Sequence, residues 1–542
     1  MQLPFNRIFL AAACGLCAAL SANAASWLDR PVLNTWKKDA AAVRPAQALP
    51  LPPGVEMMAV CTSSPAAQPL VLEGMTHLLT FGDMKAYRKF SAALKLDPDC
   101  LMAHWGVCMS LMAAGPEFQK ERVESMKSMK ELALHPAFPE HERAYADALA
   151  VLLMDGPEEA RKAWKTLYET WPRDPYAPLF YAMLLRDGFD DRGKSGEGQK
   201  EAVRIVDEVL KKHPGSQAAL FMRALLDEVA PVIPPETVET ARRAVASNPQ
   251  SSSAHHLLGH FLFRTGDYRG ACAAFKKSED LCIDWEKSEK VPRALNDAYF
   301  RSAIYRAVAE FCAGRYKEAD RIASAVASVP LDTKYPLAPG TLLQIWEARN
   351  LPVRLMLANP DLPRQEYVLK ASPAPLPKGF PDLSNGMMAM LTQYMGAKYS
   401  SQQGAAAAVS ARFDKLSGII RLLMDGAGTA RQQMSLSYWV RCLQLGNAYA
   451  MEIRAMMFPE SANIWLSNAI RDQHFASLLL PPVLPYPEEW ILARAYLKAG
   501  KHKESLEMCE QGLKRFPNHA GVLETMKKAR SGVILSFLIK NH

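Results

Sequence analysis

From residue 67 to the end of the chain, apolar residues recur three and four positions apart, while strict two-residue alternation is scarce. That spacing lays an apolar stripe along one side of an α-helix and predicts amphipathic helices rather than strands. The helices come in pairs of constant length. In residues 67–100, "AQPLVLEGMTHLLTFGDMKAYRKFSAALKLDPDC", Gly74 is followed by Ala86, Phe90, Ala93 and Pro98. In residues 252–285, Gly259 is followed at the same offsets by Ala271, Phe275 and Ser278. Looser copies occupy 141–174 (Ala148, Ala160, Trp164, Pro172), 218–251 (Ala244, Pro249), 300–333 (Ala307, Ala319) and 486–519 (Trp490, Ala493, Tyr496, Ser505, Pro517).

Each feature of this period has a physical reason. Small residues at a crossing let two helices approach closely, the aromatic fills the gap to the neighbouring unit, and proline stops the second helix because it cannot continue the hydrogen-bond ladder. One pair cannot bury its apolar stripe alone, so the pairs must stack. The unit resembles the tetratricopeptide repeat (TPR). That resemblance implies an all-α fold, a right-handed α-solenoid of TPR-like helix-turn-helix repeats, whose concave groove receives a protein or peptide partner.

The flanks bracket this array. The N-terminus, "MQLPFNRIFLAAACGLCAALSANAASW", has Arg7, an apolar run over 8–20 and the small-x-small site Ala22-Asn23-Ala24. It reads as a secretory signal cut after Ala24. The expected organisation is a signal peptide at 1–24, a Pro/Ala-rich extended leader at 25–66, and a TPR-like solenoid over 67–370. A Pro/Gly-rich linker follows at 371–386 ("ASPAPLPKGFPDLSNG"), then a helical region at 387–542 ending in a TPR-like repeat. No later segment is apolar for the length of a membrane span, so the expectation is an exported chain, periplasmic or secreted, without stable membrane insertion.

A narrower resemblance rests on "LDPDCLMAHWGVCMS" (96–110), "HPGSQAA" (213–219), 251–281 and 487–519. These stretches are similar to a poorly characterised group of secreted bacterial TPR proteins whose pattern at the first site is D-P-x-C-A-M-A-x-W-G. Histidines of that group cluster near 253–260. Here its H-x-x-x-H falls on His256 and His260, while its other three histidine positions carry Ser253, Ala218 and Met222.

Composition narrows the chemistry. The chain's 64 Lys and Arg are interspersed with 56 Asp and Glu, and no basic block tracks phosphates, so nucleic acid is not an expected partner. Eight cysteines follow residue 24, none in a C-x-x-C pair, which removes the usual zinc and thioredoxin signatures. They read as buried thiols, with Cys61–Cys100 the first pair to test for a disulfide. Gly188–Ser195, "GFDDRGKS", matches the phosphate-loop spacing, but a helix rather than a strand precedes it and two aspartates would repel phosphate. No nucleophile stands beside a partner histidine, so no catalytic residue and no cofactor are expected.

The remaining candidates lie on the first helix of the repeat at 252–285. His256 and His260 are one turn apart on one face, but a metal needs a third and usually a fourth ligand. In the TPR frame Ser253, His256, His260 and Phe263 take groove-facing positions, and His255 packs. Imidazoles without a special role are the first reading, contact with a peptide or ligand the second, and metal the third. The leading function is an exported scaffold for a protein or peptide partner. A metal-binding protein or metal-dependent enzyme using His256 and His260, or a carbohydrate-handling envelope protein, are the alternatives.

Overall fold

Helix pairs of the predicted kind run through the chain. The computed structural model describes residues 50–540 except 113, 191–192, 359–375, 381–382, 433–435, 463 and 470–484. The expected signal peptide, the expected leader before residue 50 and residues 371–375 and 381–382 of the expected linker therefore lie outside the described residues. The architecture is all-α and TPR-like: among the described residues there is no strand, only isolated bridge residues, such as the antiparallel bridge between Phe189 and Ser195. Among these residues no helix is long and apolar enough to cross a membrane.

Contacts divide the chain into two units, 1–258 and 259–542. In the first, antiparallel pairs follow in order: α1 (Ala67–Leu79) with α2 (Asp83–Leu96), α3 (Leu101–Ser110) with α4 (Gln119–Ala133), α5 (Glu140–Met154) with α6 (Pro157–Thr170), α7 (Ala177–Leu185) with α8 (Glu197–Lys212), and α9 (Gln217–Leu226) with α10 (Pro235–Ser247). The division falls inside α11 (Ser252–Arg264), within what reads in sequence as one solenoid.

The small-aromatic spacing does what the pattern requires. A Cβ at Gly74 would stand 2.7 Å from the Phe90 ring, and one at Gly106 would stand 2.3 Å from it. Phe90 is thus clamped between α1 and α3, and no larger residue fits at either glycine. The aromatics of later repeats join it in a buried chain of edge-to-face contacts. Trp105 meets Phe90 at 6.5 Å, Tyr145 at 5.2 Å and Phe180 at 5.5 Å, while Trp164 meets Tyr145 at 5.3 Å. Asp174 ties α5 to α7. It accepts from the Tyr145 hydroxyl at 2.7 Å, pairs with His141 Nε2 at 2.8 Å, and accepts from the N–H groups of Tyr176 and Ala177 that open α7.

The second unit continues with α12 (Tyr268–Glu289), α13 (Asp297–Cys312), α14 (Tyr316–Ala327), α15 (Pro339–Trp346) and α16 (Leu351–Ala358). The long helices α17 (Gly386–Gln402), α18 (Ala406–Gln432) and α19 (Leu436–Met457) then pack as a trio. A terminal repeat closes it: α20 (Glu489–Lys498), α21 (His502–Arg515) and α22 (Ala520–Lys540). This repeat folds back onto earlier turns of its own unit. Phe516 meets Phe263 at 5.8 Å, the Asn518 amide donates to Gly266 O at 3.4 Å, and His519 packs on Phe311 at 6.1 Å.

Candidate functional site

Helix α11 places the four sequence candidates on one side, but not in an open groove. Ser253 and His256 are half-buried, whereas His260 and Phe263 are buried, 3% and 4% exposed. His260 stands edge-on to Tyr305 at 5.5 Å. Phe263 is enclosed by Tyr268, Tyr305 and Phe516. These two expected groove-facing side chains are enclosed, because α13 and the turn after α21 cover them. His255 is half-buried, with its Nε2 3.0 Å from Pro249 O. Among the described residues no three His, Cys, Asp or Glu side chains converge as metal ligands.

The segment matching the phosphate loop is a tight turn. Asp190 N–H donates to Lys194 O at 2.9 Å, and Lys194 N–H donates to the Asp190 carboxylate at 2.8 Å. Helix α7, not a strand, precedes it, and an amide that a phosphate would need is already held by a carboxylate.

A site that the sequence reading passed over lies in unit 1. Residues 51–64, part of the expected leader, run extended past the N-terminal ends of α3, α5, α7 and α9, opposite to the order of the repeats. Exposure alternates along it: Met57 out, Met58 in, Ala59 out, Val60 in. Pro52 and Pro53 stiffen its start, and Gly54 turns it with φ +78°. A Cβ at Gly54 would stand 2.8 Å from Gln217 Cβ, so the closest approach of this strap to the helices requires glycine.

Residues of four of the five helix pairs, the first, third, fourth and fifth, hold the strap, mostly by its backbone. Gly54 O accepts from Gln217 N–H at 3.0 Å, satisfying a donor in the first turn of α9 that has no partner within the helix. The Tyr176 hydroxyl bridges Glu56, accepting from its N–H at 3.1 Å and donating to its carbonyl at 2.8 Å. Val60 N–H reaches Gln68 Oε1 at 3.4 Å, and Cys61 N–H donates to Glu142 Oε1 at 2.5 Å. Asp97 receives both Ser63 N–H at 2.7 Å and the Thr62 hydroxyl at 2.6 Å. Side chains add selectivity: the Glu56 carboxylate pairs with His213 Nδ1 at 2.7 Å, and Met58, Val60 and Cys61 are buried.

The electrostatics of the strap's inner end are set by burial. Desolvation pushes the Glu142 carboxyl up to about 8, against the lowering effect of the Cys61 N–H bond, and leaves it protonated at neutral pH. Its second oxygen, Oε2, is buried with no hydrogen-bond partner among the described residues. Burial, then Glu142 and Asp97, push the Cys61 thiol up to about 12. Cys100 is raised well above its ordinary value by the same effects, with Cys61 itself contributing. Neither Cys61 nor Cys100 forms a disulfide among the described residues. At Asp97, burial would raise the carboxyl, but the bonds from Thr62 and Ser63 outweigh it and hold it below its usual range.

No family model and no curated protein matches the chain. Among solved structures it is similar to the human IFIT1 dimer with PPP-AAAA, at 13% identity over 85% of this chain and 94% of that one, with a TM-score of 0.32. It is also similar to the TPR domain of P58(IPK), at 13% identity over 87% and 99% of the two chains, with a TM-score of 0.18. A third is Naa15/Naa10 bound to HypK-THB, at 12% identity over 88% and 87%, with a TM-score of 0.20.

Proposed function

We propose that the chain is an exported TPR-like scaffold that holds a protein partner in extended conformation along the repeat edge of its first unit. The observation that carries this reading is the strap. Six backbone groups of an extended segment (Gly54 O, Glu56 N and O, Val60 N, Cys61 N and Ser63 N) are bonded by residues drawn from four of the five helix pairs. Recognition through main-chain groups with a few selective pockets is how repeat and strand-adding surfaces hold peptides in general. The proposed route of export is the signal at 1–24, which predicts a mature protein beginning at Ala25.

A photo-crosslinking residue in place of Arg173 or Lys212 tests the reading in the producing cell. Both are exposed and stand near His213 and the strap. The expected result is a discrete polypeptide adduct from either position and none from Arg242, an exposed position on α10. Equal adducts from all three positions, or none from any, would reject the scaffold reading. Mass analysis of the purified N-terminus tests export, and a chain that still carries residues 1–24 would reject it.

A further inference from the structure

Resting on that reading, we infer that residues 51–64 are a built-in competitor, and that the partner is an extended peptide repeating the strap's own chemistry and displacing it. Three observations converge. The strap's bonds go to a rigid edge assembled from residues far away in the chain, with Tyr176 lying 120 positions from Glu56, so the edge exists independently of local turns. The strap itself has no secondary structure except a single bridge residue at Cys61 and a turn at 53–54, and Pro53, Met57, Ala59 and Ser63 are exposed along it. Its junction with α1, Pro65-Ala66, is exposed and has no side-chain cap. A segment with little internal structure opens at lower cost than the helices beneath it.

The contacts specify the occupant. A residue without a side chain is needed where Gly54 meets Gln217, and an acidic residue two positions later faces His213. Apolar residues follow at the positions of Met58, Val60 and Cys61, and a hydroxyl at that of Thr62 faces Asp97. The ligand class is therefore an extended peptide of the form Gly-x-acid-x-apolar-x-apolar-apolar-hydroxyl. A displaced strap leaves Glu142 and the edge amide of Gln217 for the incoming chain.

The test keeps the full chain. A site-specific protease sequence is inserted between Pro65 and Ala66, and a fluorescent peptide of residues 50–64 is added before and after cutting, with helical circular dichroism monitored throughout. Binding at least tenfold tighter to the cut protein is expected, together with loss of binding when the peptide carries Gly54→Val or Glu56→Lys. In uncut protein, Gly54→Val alters only the strap and is expected to raise peptide binding at least tenfold as well. Equal binding to cut and uncut wild-type chains overturns the competitor while leaving peptide binding intact. If the cut chain keeps its helical signal, retains its own strap and excludes the peptide, the strap is a fixed part of the fold and the inference fails. The crosslinking from Arg173 and Lys212 is read on the uncut chain, so it stands or falls separately. Exchange of straps between two copies, seen as a dimer on sizing, also overturns the inference.

Discussion

Glu142 makes the docked strap sensitive to pH, and the size of the effect can be worked from its surroundings. The carboxyl is 1% exposed and pushed from an ordinary value of 4.5 up to about 8, with desolvation the dominant cause. The groups facing it are the Cys61 thiol and N–H from the strap and the Cys100 thiol at the start of α3. Both thiols stay neutral through this range, so the carboxyl is the titrating partner. Opening the strap returns Glu142 to water and to its ordinary affinity for a proton. Because the docked value is the higher one, the docked state binds more protons. Its advantage is fully present below pH 4.5 and is lost as pH rises through about 8. Each pH unit in that interval is worth about 1.4 kcal/mol, so the whole window amounts to about 5 kcal/mol. The perturbation is Glu142→Gln, which keeps a carbonyl acceptor for Cys61 N–H and removes the titration. Native-state hydrogen exchange of the Cys61 and Ser63 amides between pH 5 and pH 8, corrected for intrinsic rates, reads the opening free energy. The wild-type value should fall by several kcal/mol more than the variant's across that range. Every other group of the strap and its edge is the same in both chains, so the comparison is read as the difference between them. Parallel slopes for the two proteins would refute the assignment of the pH dependence to Glu142.

Other consequences are simpler to measure. Tyr176→Phe removes one hydroxyl that serves two backbone groups of Glu56; a loss of about 1–2 kcal/mol of strap protection is expected by exchange at the Glu56 amide, with global unfolding changed less. Phe263→Asp puts a carboxylate among Tyr268, Tyr305 and Phe516, and should cost about 3–5 kcal/mol in denaturant titration, reporting folding of the second unit rather than loss of a groove contact. Gly106→Val drives new atoms into the Phe90 ring from a Cβ only 2.3 Å away, and a loss of about 1–3 kcal/mol or more is expected from the same titration.

The repeat architecture was legible because it is written locally. Gly74, Ala86, Phe90 and Ala93 sit within one 34-residue unit, and the structure uses each of them at the crossing that the spacing implies. The fate of α11 was not legible in that way. His260 and Phe263 occupy positions that an ordinary TPR array leaves open, but Tyr305 of α13 and Phe516 of the terminal repeat close over them. The covering turn bonds Gly266 from 252 positions away, and no local periodicity encodes such a return.

The strap was hidden for a related reason. "LPPGVEMMAVCTSS" has the prolines, glycine and small polar residues of an unstructured leader, and its two-residue alternation covers only Met57 to Val60. A signal was nevertheless present on the receiving side. Asp97 and Glu142 are acidic residues at or near helix N-termini, where acids often serve as local caps. Each also bonds a main-chain amide from the strap: Glu142 holds Cys61 N–H and Asp97 holds Ser63 N–H. Neither helix that they adjoin, α3 or α5, has a side-chain cap at its start. Acids near helix starts that leave those starts uncapped are what a repeat edge needs in order to hold another backbone. That pairing, rather than the histidines of α11, is the local signal for the docked strap.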